Sequence, residues 1–273
     1  MENGGNPNTS RIAKFIGKHK IFVENSAVAC LHLRFARGYN RHKVQGRGKI
    51  MFQGFSQNAV DFLWGIKFNN EREWFLAHKQ DYLEYLDRPL RALAAELLDA
   101  MNEAYPDAGL QSHVCRIYRD ARRLHGRGPY KDHLWLVLEH PSESRAGRPA
   151  LYFEIAPNYF SYGCGFWEMD AATAAKHRKR IENNPKELEK LARRLEKSRF
   201  RLDGGMYKRP KGDVGALLNP WYNRKNLAIS YEDNPEGVLF TRGLYDEILE
   251  GFRFLMPYYE YFYSLPFDAE ARE

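Results

Sequence analysis

The sequence has few cysteines and no long apolar run. Its three cysteines in 273 residues, Cys30, Cys115 and Cys164, include no pair with C-x-x-C spacing. A disulfide scaffold is therefore excluded, and we expect reduced, buried thiols in a cytoplasmic protein. The cleanest apolar run, Leu134 to Leu138, is far shorter than the about 18 residues that span a bilayer, so we expect no contact with a membrane.

The motifs of common metal sites and nucleophilic enzymes are also missing. The histidines form no H-x-x-x-H or H-E-x-x-H arrangement, and the chain has neither a G-x-S-x-G elbow nor Walker-type glycine spacing. The sequence therefore predicts no metal site, no hydrolase triad and no cofactor. It leaves open whether the protein is an enzyme.

Positive charge is concentrated in the first 50 residues. They contain ten Lys or Arg against two Glu, a net charge of +8, whereas the whole chain carries +7. Residues 51 to 273 therefore carry a net charge of −1, which argues against nucleic-acid binding by that part. Residues 1 to 50 are rich in Gly, Asn and basic residues, and we interpret them as a disordered extension, with a targeting segment or a nucleic-acid arm as alternatives.

The remaining chain predicts a single α+β domain over residues 51–273. Helical spacing follows Ser56 and Asn70, which we expect to be helix caps, and continues after Pro89. From Ser112 the apolar residues alternate, and short loops between the extended segments favour antiparallel pairing. Helical spacing then returns. This order predicts a central, largely antiparallel sheet flanked by N-terminal and C-terminal helices.

Several short motifs occur in a distinctive order along this domain. They are Phe52-Gln53-Gly54-Phe55, Asn69-Asn70-Glu71-Arg72-Glu73-Trp74-Phe75, Arg119-Asp120-Ala121-Arg122, Pro129-Tyr130-Lys131, Gly163-Cys164-Gly165 and Lys208-Arg209-Pro210. With these motifs the chain from residue 51 resembles a bacterial and fungal family of uncharacterised proteins, domain of unknown function 2461. The resemblance implies no known activity, substrate or cofactor.

The chain departs from the family pattern between two of these motifs. Many members carry an F-S-x-D-K segment where this chain has Arg123 to Gly128, so a role for that serine or aspartate cannot be transferred. Members also often begin near the F-x-G-F motif, and Met51 stands directly before it. We therefore expect Met51 to be the natural start, or residues 1 to 50 to be dispensable.

Two basic segments contain the residues that are candidates for binding an anion. The first contains Arg116, Arg119, Arg122 and Lys131, and the second contains Lys208, Arg209 and Lys211 beside a Gly-Gly turn. Guanidinium groups in loops suit the bidentate capture of phosphate or carboxylate. We expect Arg119, Arg122, Lys131, Lys208 and Arg209 to line one pocket at the strand ends that binds a small, phosphorylated molecule.

Four further residues are expected to support this site. Arg116, Asp120 and Tyr130 belong to the first segment, and Glu154 is a carboxylate on a predicted central strand. Glu154 could act as a general base or as a counter-ion of the arginines. The alternative is that these charges only stabilise loops, in which case the protein is an interaction or scaffold module without a ligand. The oligomeric state stays open.

Overall fold

The structure is a computed structural model that describes residues 51–124, 126–141 and 147–269. The predicted extension, residues 1 to 50, lies outside the described residues. The α-helices are α1 Gln57–Phe68, α2 Arg72–Ala77, α3 Lys79–Asp81, α4 Arg88–Ala104, α5 Ala171–Asn183, α6 Pro185–Glu196, α7 Asn219–Tyr222 and α8 Gly243–Ser264. A π-helix, Tyr82–Asp87, joins α3 to α4. Single 3₁₀ turns lie at Pro106–Ala108, Ala121–Arg123, Gly237–Phe240 and Leu265–Phe267.

Six strands form one antiparallel sheet. They are β1 Gln111–Val114, β2 Leu134–Glu139, β3 Pro149–Ile155, β4 Phe160–Phe166, β5 Arg201–Asp203 and β6 Ala228–Asp233. Their order across the sheet is β1-β2-β3-β4-β6-β5, and every neighbouring pair is antiparallel. The α+β prediction, with an antiparallel sheet flanked by helices, is therefore confirmed.

One hydrophobic core holds the sheet to the helices. Along β2 and β3 every second residue is buried. The sequence of β3 shows this alternation, whereas the sequence of β2 is apolar from Leu134 to Leu138, and Trp135 and Val137 are only half-buried. Helix α4 packs against β1 and β2, and α8 packs against β3 and β4. The apolar residues that α4 turns inward, Leu90, Leu93, Leu97 and Met101, follow the spacing of one helical face and are fully buried.

The segment before α1 is hydrogen-bonded to a segment that lies much later in the chain, just before α8. The backbone amide of Phe55 donates to the Leu239 carbonyl at 3.0 Å, and Arg242 donates to the Phe52 carbonyl at 2.9 Å. Gly54 has a φ of +108°, and a methyl group there would lie 2.6 Å from the backbone of Phe240. The F-x-G-F motif thus requires glycine because of both its backbone conformation and this close approach.

One predicted helix cap is corrected. Ser56 occupies the N-cap position of α1, although its side chain makes no capping hydrogen bond. Helix α2 begins at Arg72 with Glu71 at its N-cap position, so Asn70 does not cap it. The Asn70 side chain instead forms hydrogen bonds to a distant backbone segment, described below. Among the described residues, no helix combines the length and the apolar character that crossing a membrane requires.

Candidate functional site

Lys131 is buried within the first basic loop, which we define as residues 116–131. Its Nζ atom donates to the carbonyl oxygens of Arg116 at 2.6 Å and of Tyr118 at 2.8 Å. The same ammonium group lies 5.4 Å from the centre of the Trp135 ring. These contacts fix Lys131 inside the protein, where it holds the two halves of the loop together.

Arg119 has the same kind of internal role. Its Nε atom donates to the Tyr130 carbonyl at 2.6 Å, its guanidinium group contacts Asp132 at 3.0 Å, and its side chain is only 8% exposed. Asp132 also lies 3.2 Å from the Nδ1 atom of His133. The hydrogen bond with His133, followed by electrostatic attraction from His133 and from the Arg119 guanidinium, holds the pKa of Asp132 below its usual range.

The Asn70 side chain connects the first basic loop to the N-terminal helices. Its amide donates to the Tyr130 carbonyl at 2.9 Å, and its carbonyl accepts from the Tyr130 amide, also at 2.9 Å. A methyl group on Gly128 would lie 2.1 Å from this amide oxygen, so the position needs glycine. The N-N, R-D-x-R and P-Y-K motifs therefore meet in one place and bind each other.

The remaining residues of the first predicted site lie nearby without converging on a ligand. Arg122 is 74% exposed at its side chain and forms a bidentate pair with Asp120, at 3.1 and 2.8 Å. Arg116 is exposed. Glu154, which we expected beside the arginines, accepts a short hydrogen bond from the hydroxyl group of Tyr159, five residues along the chain.

Cations from the second basic loop, which we define as residues 204–213, and from two other segments surround one aromatic ring. The side-chain charges of Lys211, Arg178 and Lys225 lie 5.0, 5.6 and 5.9 Å from the centre of the Tyr207 ring. Lys208 and Arg209 follow Tyr207 directly and are exposed. Within the described part of the chain, none of these five cations forms a salt bridge.

Asn223 holds the second basic loop in this position. It is 6% exposed, accepts from the backbone amide of Lys211 at 2.6 Å and donates to the Gly212 carbonyl at 3.0 Å. The backbone amide of Tyr207 donates to the backbone carbonyl of Asn223 at 3.0 Å. One buried residue therefore fixes the second basic loop through both its side chain and its backbone.

A groove opens between the second basic loop and α7. Its volume is about 510 Å³, and it is lined by Met206, Tyr207, Pro210, Gly212, Asp213, Ala216, Asn219, Pro220 and Asn223. Asp213 accepts hydrogen bonds from the Asn219 side chain at 2.8 Å and from the Gly215 amide at 3.0 Å. The hydrogen bond from Asn219, and then that from Gly215, lowers the pKa of Asp213, so its carboxylate stays ionised.

The fold does not bring the two basic loops together. β5 ends at Asp203, level with Ala150 of β3, whereas β2 begins at Leu134, which pairs with Ile155 of β3. The loops thus differ by about 17 Å along the strands and by four strand spacings, about 19 Å, across the sheet. Lys208 and Arg209 therefore do not share a pocket with Arg119, Arg122 and Lys131.

Sequence reasoning did not find Arg178 and Lys225 as members of the second cluster. Arg178 belongs to α5, and its guanidinium lies 3.4 Å from the Tyr207 hydroxyl group. Lys225 follows α7, and its backbone amide donates to the Gly205 carbonyl at 2.6 Å. No local spacing links either residue to Tyr207, so only the packing of α5 and α7 around the loop could reveal them.

Neither metal ligands nor reactive thiols stand out in the residues that the structure describes. No group of three or more His, Cys, Asp or Glu side chains among them could hold a metal ion. Cys115 and Cys164 are unpaired and buried. Burial raises the pKa of the Cys115 thiol to about 12, so it remains protonated at neutral pH and is a poor nucleophile.

The fold and the motif contacts together define a class of protein. A six-stranded antiparallel sheet packs against helices, and the N-N, R-D-x-R and P-Y-K motifs bind each other beside β2. Residues 58–261 match the family described as "Conserved hypothetical protein (DUF2461)", and the chain belongs to this family. The resemblance seen in the motifs is thereby confirmed. Among curated proteins, none matches the chain.

Proposed function

We propose that the protein binds a small phosphorylated molecule at the groove beside Tyr207. The observation that supports this is that three cations, Arg178, Lys211 and Lys225, surround the ring of Tyr207, which lines the groove. Two exposed cations, Lys208 and Arg209, follow Tyr207 directly in the chain. In the described residues they have no acidic partner, so their charge is available to an anion. Guanidinium and ammonium groups side by side favour phosphate, which accepts both bidentate and single hydrogen bonds.

The polarity of the groove orients such a ligand. The phosphate binds beside Lys208, Arg209 and Lys211, outside the groove itself, because the ionised Asp213, which lines the groove, repels anions. Asp213 and Asn219 instead suit hydroxyl or amino groups of the ligand, which donate hydrogen bonds. The volume of about 510 Å³ lies within the usual range for small-molecule sites.

Thermal unfolding in the presence of phosphorylated probes tests this proposal. We expect inorganic phosphate, a sugar phosphate or a nucleoside monophosphate to raise the melting temperature in a saturable way. At about a hundred times the dissociation constant, a ligand that binds only the folded state adds about 2.7 kcal/mol to the free energy of unfolding. The non-phosphorylated sugar and nucleoside are the matched controls for the probes.

Variants locate the site. K208Q/R209Q removes two exposed cations and is expected to abolish the thermal shift while leaving the melting temperature without ligand unchanged. R88Q/R253Q removes two exposed cations from other helices, α4 and α8, and is expected to keep the shift. If no phosphorylated probe stabilises the protein, or if both variants lose the shift equally, the groove is not a phosphate site.

An interaction module without a ligand is the second candidate, and exposed apolar residues favour it. Phe68 is 75% exposed at the end of α1, where it stacks on Trp64, and Leu76 of α2 is 55% exposed. Large apolar side chains at a surface are frequent at protein interfaces. Self-association that F68S/L76S abolishes, together with no thermal shift from any phosphorylated probe, would favour this candidate over ligand binding.

We also infer that the protein resides in the cytoplasm. Cys115 and Cys164 are buried and unpaired, which fits a reducing compartment. Fractionation of the native host cells checks this inference, since recovery of the protein outside the cytoplasm would contradict it.

A further inference from the structure

Charge is strongly segregated within the domain. Residues 176 to 225 contain sixteen Lys or Arg against six Asp or Glu, a net charge of +10, whereas the rest of residues 51 to 273 carries −11. Twelve of these basic residues belong to α5, α6, β5 and the second basic loop, and α6 packs against both α5 and β5. The net charge of residues 51 to 273 is near zero only because a strongly basic segment is balanced by an acidic remainder. The near-zero net charge therefore does not exclude binding of nucleic acid by the basic segment.

Helix α6 carries a regular row of cations within this layer, which we call the α6 basic stripe: Lys186, Lys190, Arg193 and Lys197. The spacing of four, three and four residues places them on one side of the helix, over a length of about 16 Å. All four are exposed, and among the described residues none forms a salt bridge, although Glu187, Glu189 and Glu196 lie on the same helix.

The opposite side of α6 is already used by the core. Leu188, Leu191 and Leu195 are buried, and the hydroxyl group of Tyr258 donates to the Leu191 carbonyl at 3.0 Å. This packing fixes the helix and directs the α6 basic stripe to solvent. It also leaves α6 no apolar side to insert into a bilayer, whereas membrane-surface helices bind by burying such a side.

We propose that the α6 basic stripe binds the phosphate backbone of double-stranded nucleic acid. A duplex presents about one negative charge per 1.7 Å of its length in a rigid array, which a fixed row of cations on a helix can neutralise. The stripe has no aromatic side chain, and single-strand binding relies on stacking bases on aromatic rings. The contacts are to phosphates, so the binding is independent of base sequence.

This inference does not depend on the Tyr207 groove. The α6 basic stripe shares no residue with the five cations proposed to bind a small phosphorylated molecule. K208Q/R209Q is therefore expected to remove the thermal shift that phosphorylated probes cause. The part of the salt dependence of duplex binding that the α6 basic stripe contributes is expected to remain in this variant. Either proposal can fail while the other stands.

Titration of the full chain with a short fluorescent DNA duplex at several salt concentrations tests the inference. Four phosphate contacts contribute a slope of about −3.6 to the logarithm of affinity against the logarithm of salt, or about a 150-fold loss between 50 and 200 mM. K190Q/R193Q removes two contacts. The loss of affinity between 50 and 200 mM salt that the stripe contributes is therefore expected to fall from about 150-fold to about 12-fold. Both residues are exposed, and circular dichroism verifies that the variant is folded.

The basic residues 1 to 50 can also contribute to the salt dependence of binding, and they are present in every variant. The control must therefore have the same residues 1 to 50 and the same change in net charge. R88Q/R253Q lowers the net charge of the chain by the same two units without touching the α6 basic stripe, and its salt slope is expected to match that of the unchanged protein. Equal slopes for both variants, or a slope that K190Q/R193Q leaves unchanged, would overturn the inference. So would equal or tighter binding of single-stranded DNA, anionic phospholipid vesicles or polyglutamate.

Discussion

At the scale of single residues, the polar side chains of the family motifs act as backbone partners. Asn70 satisfies both the amide and the carbonyl of Tyr130, and Lys131 and Arg119 satisfy carbonyl oxygens in the same loop. Buried backbone groups without partners cost free energy, so these side chains replace the pairing that a strand would provide. Sequence reasoning singled out these three residues, but it expected Asn70 to cap a helix and Arg119 and Lys131 to face a ligand.

Removing the Asn70 amide is expected to destabilise the protein. N70A leaves the backbone amide of Tyr130 without a partner and removes one of the two donors to its carbonyl, to which Arg119 still donates. We therefore expect a loss of about 1–3 kcal/mol in the free energy of unfolding. Urea denaturation measures this loss. N58A, at an exposed position of α1, is the matched control and is expected to change stability little. Equal effects of the two substitutions would contradict the role assigned to Asn70.

Buried His177 is expected to make the protein sensitive to mild acid. It is 1% exposed, its Nδ1 atom lies 3.1 Å from the Tyr261 hydroxyl group, and burial lowers its pKa to about 3. An unfolded histidine has a pKa of about 6.5, so between these values only the unfolded state binds the proton. Stability from this group is full above about pH 6.5 and falls as the pH drops towards 3.

The expected slope is about 1.4 kcal/mol of unfolding free energy per pH unit in the middle of that window. Urea denaturation between about pH 4 and 7 measures it. H177Q is expected to remove this component of the slope, and H140Q, at a half-buried position, is expected to keep it. An unchanged slope in H177Q would show that other groups govern the acid response.

At the scale of elements, the connections between helices and strands decide where the motifs meet. The segment before α1 lies against Gly237–Phe240, nearly two hundred positions later in the chain, and Gly54 permits this contact. The types of α1, α4 and β3 followed from periodicity, because each buries one regular face. The type of β2 followed from its continuous apolar run, and β4 is buried on both sides. The pairing of the F-x-G-F segment with this distant turn has no local signal.

Substitution of Gly54 tests this junction. G54A adds a methyl group at a positive φ and within 2.6 Å of the Phe240 backbone, so we expect a loss of at least about 1–3 kcal/mol in unfolding free energy. G205A is the matched control, because a methyl group there meets no atom within 4 Å. Chemical denaturation of both variants compares them, and a G54A protein as stable as G205A would contradict the assignment.

At the scale of the whole molecule, one core joins the helices to both halves of the sheet. Buried side chains from Phe52 to Leu265 form a single cluster that includes residues of α1, α4, α8 and four of the strands, β2, β3, β4 and β6. A domain with one core is expected to unfold cooperatively. We therefore expect one transition in urea, rather than separate losses of the N-terminal helices and the sheet.

The five tryptophans report on this cooperativity. Trp64 and Trp74 lie in the N-terminal helices, Trp135 and Trp167 near the sheet, and Trp221 in α7. The fluorescence transition, which averages over these regions, is expected to coincide with the far-ultraviolet circular dichroism transition. Midpoints that differ beyond experimental error would show that the domain unfolds in parts.

The sequence by itself determined the α+β class, the antiparallel sheet and the family, because periodicity and short motifs are local properties. It also singled out Lys208 and Arg209, which are exposed and follow Tyr207 directly. Only the tertiary structure decided which cations share a surface. Strand order and register separate the two basic loops, and packing brings Arg178 and Lys225 to Tyr207. The sequence determines how many charges the chain carries and where along the chain they lie. The distances between charges that are far apart in the sequence depend on the tertiary structure, and the strength of their interaction depends on those distances.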